Sequence, residues 1–157
     1  MGEGTSLVEV ISQAFAAEKA AVPALTLRAG NRIDDYQPPV AFDPAQDAVS
    51  DGYLEQYSWG VAHLDPASWR YYLPFLMEYA LRHLSSADLI VEALLNSLRP
   101  PDRDPPRLAS LSPDQEAAVC RLLEVLAFDP DSAHQDLACQ VLEEWWVPNA
   151  LYRSRSD

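Results

Sequence analysis

Ser68-Trp69-Arg70-Tyr71-Tyr72-Leu73-Pro74-Phe75-Leu76-Met77-Glu78-Tyr79-Ala80-Leu81-Arg82-His83-Leu84 decides the fold class, because no other run in the chain carries so dense an aromatic and aliphatic surface. Apolar residues at 69, 72, 73, 76, 80 and 84 recur at helical spacing, and Phe75 and Tyr79 widen the stripe. Only Arg70, Glu78, Arg82 and His83 clearly prefer water. A helix apolar on most of its sides belongs in the middle of a bundle. Pro74 has no backbone donor and clashes with the carbonyl four residues back, which predicts a kink or a break near Tyr71 to Leu73.

Asp65-Pro66 heads this run, and the same spelling recurs at Asp43-Pro44, Ser112-Pro113 and Asp129-Pro130. Each sets a side-chain acceptor before a proline whose missing N–H has no partner in a first turn anyway, so four helix starts are predicted. Gln46 and Gln115, three residues after Asp43 and Ser112, would complete capping boxes. At Asp43 a turn competes with the helix, because Gly52 and a shortage of aliphatic residues weaken the pattern. Ser6 and Glu9 form a further box, ahead of Leu7, Val8, Ile11, Ala14 and Phe15 on one face, in a helix that should stop near Lys19 to Val22.

The stretch Ala24 to Arg28 is short and compatible with extended chain, and Pro38-Pro39 forbids helix, so residues 29–64 read as a largely irregular, acidic segment. Ser85-Ser86 ends the central element and caps a helix with Leu89, Ile90, Ala93, Leu94 and Leu98 on one side. A proline-rich loop runs from Arg99 to Pro106, followed by helices over residues 113–128 and 130–147. Trp145 and Trp146 are adjacent, so on an α-helix they cannot both face one core stripe, and an exposed apolar patch is expected there. The expected fold is all-α: one domain over residues 1–150, an irregular bundle of five or six helices, and a frayed tail over 151–157.

The formal charge of −13, from 24 acidic against 11 basic residues in 157, excludes a nucleic-acid or anionic-membrane binder, since counterion release requires a basic face. A charged partner should therefore be a basic protein. No run approaches a membrane span, the N-terminus lacks the pattern of a signal peptide, and a cytoplasmic location is expected. Met1-Gly2-Glu3-Gly4-Thr5-Ser6 fits a myristoylation pattern formally, but no basic patch accompanies it as a second anchor. Cys120 and Cys139 match no zinc spacing and read as buried free thiols.

Catalytic residues are hard to assemble from this composition. His134 and Cys139 lie five apart on one predicted helix, roughly 140° apart around its axis, and cannot form a dyad within it. His63 and His83 have ordinary explanations, beside a cap aspartate and at a helix C-terminus. Zinc and calcium motifs are missing and glycines are too few to cradle a phosphate, so no catalytic residue, metal or cofactor is assigned. Asp43, Asp47, Asp51 and Glu55 recur every four residues. On a helix they would form a ridge of mutually repelling carboxylates, which suits a solvated face better than an ion cage.

One stretch is unusual. Between Arg32 and Arg70 there is no Lys or Arg, while Asp34, Asp35, Asp43, Asp47, Asp51, Glu55 and Asp65 are interleaved with Tyr36, Phe42, Tyr53, Tyr57 and Trp59. Acids speed encounter with a basic partner and aromatics anchor it, so Asp34, Asp35, Asp43, Asp47, Asp51, Tyr53, Glu55, Tyr57 and Trp59 form a candidate protein-binding surface, as on an inhibitor or immunity protein. The competing account has the aromatics facing inward to fasten a long loop, with the acids serving solubility. A rival function is a small-molecule pocket or enzyme site at the Pro74 break, with His63, Arg70, Tyr71 and Tyr72 as polar lining.

Trp69-Arg70-Tyr71-Tyr72-Leu73-Pro74, with Leu98-Arg99-Pro100-Pro101 and Leu111-Ser112-Pro113-Asp114-Gln115 after it, resembles a family of small bacterial proteins known only as a domain of unknown function. The resemblance runs from about Gly52 to Ala127 and rests on an aromatic-Arg-Tyr-Tyr-Leu-Pro string. It departs at Phe75, where alanine is expected. It implies the helical fold and a role for Arg70, Tyr71 and Tyr72, but no activity, and it leaves the acidic stretch largely outside.

Overall fold

Side-chain caps mark where four of the described helices begin. The structure, a computed structural model, describes residues 3–100 and 105–153, and every regular element among them is helical. In chain order these are α1 (Glu3–Ala14), α2 (Ala16–Lys19), α3 (Leu27–Asp34), α4 (Asp51–Gln56), a 3-10 helix (Ser58–His63) and α5 (Pro66–Arg82). Then come α6 (Leu89–Ser97), α7 (Pro106–Ala109), α8 (Pro113–Phe128) and α9 (Gln135–Val141), which continues into a π turn (Leu142–Trp146). The segments outnumber the five or six expected, because several are one or two turns long and give little periodicity to read.

Helix α5 is the enclosed rod. Trp69, Tyr72, Leu73 and Met77 are wholly buried, and α1, α2, α6, α7 and α8 all pack on it. Each such side chain contributes about 1.5–3 kcal/mol by leaving water, which explains why so much of the chain gathers here. The indole Nε1 of Trp69 also donates to Ser97 Oγ on α6 at 3.0 Å. The helix continues through Pro74 without a break. Pro74 is itself buried, and the large side chains of the turns on either side hold the helix against the lost backbone bond.

Two of the four proline-marked caps start helices. Asp65 accepts from the Ser68 amide at 3.2 Å, and Ser112 with Gln115 forms a reciprocal capping box at 3.2 and 3.0 Å. Gln115 also donates to the Ala14 carbonyl at 3.1 Å, tying the start of α8 to the end of α1. Ser112→Ala should cost about 1 kcal/mol, read as a lower urea midpoint with an unchanged slope. Asp43 and Asp129 instead accept from amides two residues on, Ala45 and Asp131, and close tight turns. The helix expected from Pro130 therefore begins only at Gln135. At the N-terminus α1 starts at Glu3, so Ser6 falls within it rather than at its cap.

Half of the segment 29–64, read as largely irregular, is helical. Thr26 Oγ1 accepts from the Ala29 amide and Ser50 Oγ from the Tyr53 amide, capping α3 and α4, and residues 35–50 form the one long stretch of the segment without helix. α3 lies against the 3-10 helix at a backbone-to-backbone crossing. A Cβ on Gly60 would stand 2.2 Å from the Leu27 carbonyl oxygen, and one on Gly30 would stand 2.6 Å from the Gly60 oxygen. Two glycines are the condition for this approach.

The π turn changes the fate of the two tryptophans. More residues per turn let neighbouring side chains share a buried face, and both Trp145 and Trp146 are buried instead of forming a surface patch. Trp146 Nε1 donates to the Leu98 carbonyl at 2.9 Å, while Arg99 forks onto the buried Glu144 at 2.8 and 2.9 Å. The start of the tail is not frayed. Asn149, at φ 64, turns the chain back so that the Leu151 and Tyr152 amides donate to Glu143 and Glu144 carbonyls, and Arg153 pairs with Glu116. The remainder of the tail, 154–157, lies outside the described residues.

Candidate functional site

The structure divides the acidic-aromatic stretch into an inner set and an outer set. Asp47 belongs to the inner one. Its carboxylate is buried and receives both arms of Arg28 on α3, at 3.1 and 2.9 Å, the Tyr53 hydroxyl at 2.7 Å and the Asp43 amide at 2.8 Å. Burial pushes this carboxyl upward, but the hydrogen bonds from Arg28, Asp43 and Tyr53 outweigh it and hold the group below the usual carboxylate range. Tyr53 and Tyr72 meet at 3.5 Å, and the Leu27 amide donates to the Tyr72 hydroxyl at 3.2 Å. Burial pushes the Tyr53 phenol far up and that of Tyr72 up to about 12, so both stay neutral donors.

Asp51 and Glu55 on α4 are engaged too. Asp51 pairs with Arg82 and, at 3.1 Å, with His83, and the His83 hydrogen bond is the main cause holding its carboxyl below the usual range. Glu55 accepts from the Tyr79 hydroxyl at 2.7 Å, with Asp88 on the same oxygen at 3.1 Å. Burial first, and then these two carboxylates, push the Tyr79 phenol well above its ordinary value. The expected ridge of Asp43, Asp47, Asp51 and Glu55 does not exist. Residues 47–50 are not helical, and three of its four carboxylates serve as joints between elements. Asp47 and Tyr53 are thus corrected from docking residues to core.

The outer set is smaller. Asp34 and Asp35, at the C-terminal end of α3, are exposed, as is Trp59 on the 3-10 helix at 59 %. One turn beyond the glycine crossing on each helix, Asp34 meets His63 Nε2 at 3.1 Å. Asp43 is partly exposed and occupied with its own turn, while Tyr57 is half-buried with its ring edge-on to Tyr53 at 5.0 Å. Tyr36, which follows Asp35, is 99 % exposed at φ 60. A bulky residue in the left-handed region pays a steric cost, and here no burial of its ring offsets it. No sequence signal distinguishes Tyr36 from the aromatics that turn inward.

The four residues of the rival pocket do not converge. His63 faces Asp34, Arg70 pairs with Glu18 at 3.4 Å, Tyr71 packs edge-on against Tyr72, and Tyr72 is sealed into the Asp47 network. Among the described residues no cluster of three or more His, Cys, Asp and Glu side chains is arranged to hold a metal ion, and no helix is long and apolar enough to cross a membrane. Cys120 and Cys139 are both free and half-buried.

Six basic side chains are consumed by internal joints. Lys19 meets Glu78, Arg28 Asp47, Arg70 Glu18, Arg82 Asp51, Arg99 Glu144 and Arg153 Glu116, each joining different elements. Such pairing leaves the surplus of acids to face solvent. The molecule is an all-helical protein, pinned by internal ion pairs, with an acidic-aromatic corner where α3 meets the 3-10 helix. Its sequence matches the model of a family of unknown function, DUF6714, over residues 3–150, and the chain belongs to that family. No curated protein and no solved structure gives a significant match.

Proposed function

We propose that this protein acts by binding a basic protein partner, as a neutralising or inhibitor-like domain, through the corner formed by Asp34, Asp35, Tyr36 and Trp59. The observation that carries this reading is that two exposed acids, neither with a Lys or Arg partner among the described residues, and two exposed aromatic rings belong to α3, the turn after it and the 3-10 helix packed on it. The carboxylates at the negative end of α3 speed the encounter, and the rings supply area that is desolvated on contact. The two unbridged thiols suit a reducing, cytoplasmic place of action.

The test begins with capture of a partner by the tagged full chain and continues with the purified pair. Asp34→Asn with Asp35→Asn should slow association about three- to tenfold at low salt and flatten its salt dependence. Trp59→Ala should act on dissociation instead. Association that ignores both salt and these substitutions rejects the corner as the docking surface.

A further inference from the structure

A second surface feature is independent of the acidic corner and opposite to it in charge. A cleft of about 350 Å³ opens between the end of the 3-10 helix, the start of α5, the end of α6 and α7. Its apolar walls include Leu64, Pro66, Pro105 and Leu108, and its polar lining includes the guanidinium-bearing Arg99 and Arg107 with Asn96 of α6. Pro105 and Pro106, with their fixed backbone φ, stiffen the wall formed by the start of α7.

Arg107 is the unusual member. Its Nε donates to the Leu64 carbonyl at 3.0 Å, and one terminal nitrogen donates to the carbonyls of Val61, Ala62 and Leu64 at 3.0, 3.0 and 2.6 Å. Those contacts end the 3-10 helix, but they supply only partial charges. Among the described residues no carboxylate lies within ion-pair distance of Arg107, in a chain that provides one to six of its other cations. Asp65, whose charge acts on it, is committed to the cap of α5. Burial draws the guanidinium below its ordinary value, as expected for a cation taken out of water without a full counter-charge. Arg99 has spent two of its nitrogens on Glu144, and its third makes only a 3.4 Å contact to Asn96.

We infer that this cleft binds a small carboxylate with an apolar body, its charge placed on the free edge of Arg107 beside Arg99 and its carbon skeleton against Leu64, Pro66, Pro105 and Leu108. The size is that of a compact organic acid, since ligand pockets start at about 300 Å³. A charge-assisted bond to a guanidinium that has no carboxylate partner among the described residues gives the recognition. The overall negative charge repels anions elsewhere, which confines the binding to this spot.

Phenylacetate, its neutral amide phenylacetamide and sodium sulfate serve as probes, titrated into the full chain at fixed ionic strength while the amide and arginine Nε–H signals are followed by NMR. The acid should shift the Arg107 Nε–H and the amides of Ala62 and Leu108 saturably, with affinity at least about tenfold above that of the amide. Ala62→Phe places a ring at the cleft from an exposed position while keeping the backbone carbonyl that Arg107 bonds, and should abolish the Arg107 and Leu108 shifts in a folded protein. Equal binding of acid and amide, equal response to sulfate, saturable shifts that survive Ala62→Phe, or no saturable shift at all would each overturn the assignment.

Discussion

Gly60→Ala is expected to cost about 3 kcal/mol or more, enough to unfold a marginally stable domain. The added Cβ meets the Leu27 carbonyl oxygen at 2.2 Å and the Asn31 amide nitrogen at 2.9 Å, and both are main-chain atoms that no rotamer change can move away. α3 and the 3-10 helix must therefore separate, which loosens the caps and the Arg28 network that depend on α3. Gly52→Ala is the control. Its Cβ would meet nothing nearer than Ser50 Oγ at 3.9 Å, and the site is exposed on a helix, so it should gain about 0.5–1 kcal/mol. Urea unfolding of the two variants separates a steric effect from a general intolerance of substitution; a stable Gly60→Ala would mean that the helices do not cross as described.

Asp47→Asn should cost about 3 kcal/mol, because it keeps the shape of the side chain but leaves the Arg28 guanidinium without its counter-charge in a site nearly closed to water. Replacing both partners by apolar residues should recover part of that loss, since no unpaired charge is then left behind. The pH dependence follows from the depressed carboxyl. A group ionised more readily in the folded state contributes its full stabilisation above the unfolded value, about 3.9, and loses it as pH falls through the lower folded one. Stability of the parent should therefore fall below about pH 4, and the variant should show a flatter acid limb across that range. Asp51 and Asp65 are depressed as well, so the limb should flatten without vanishing. Unfolding midpoints from pH 2 to 6 check the slope; an identical limb in both proteins would show that Asp47 is not the ionised partner of Arg28.

How much of this was legible in the sequence depended on distance along the chain. The α5 core face and the caps at Asp65 and Ser112 are local patterns, settled within one helix or one turn, and they are as read. The start of α3 had the same kind of local signal in Thr26, but Gly30-Asn31 reads as a turn to anyone who does not know that Gly60 lies against it. That information is tertiary. The acid row failed for the same reason. Asp47 is neutralised by Arg28, nineteen positions earlier, and Asp51 by Arg82 and His83, more than thirty positions later, so a gap free of basic residues in the sequence is not a gap in space. Asp34, Asp35 and Trp59 lie at the surface as the acidic-aromatic pattern implies, whereas nothing local to Arg107 signals that its guanidinium reaches the carbonyls of Val61, Ala62 and Leu64 more than forty positions away.

The internal pairing of lysine and arginine has a consequence for how such a chain drifts over generations. Each paired base is a fastener between segments, so its loss is felt in folding, while exposed acids such as Asp35, Asp114 and Asp131 make no ion pair among the described residues and are free to come and go. Random change therefore finds its tolerated sites among aspartate and glutamate, and homologues should vary widely in how negative they are while keeping nearly the same few cationic positions.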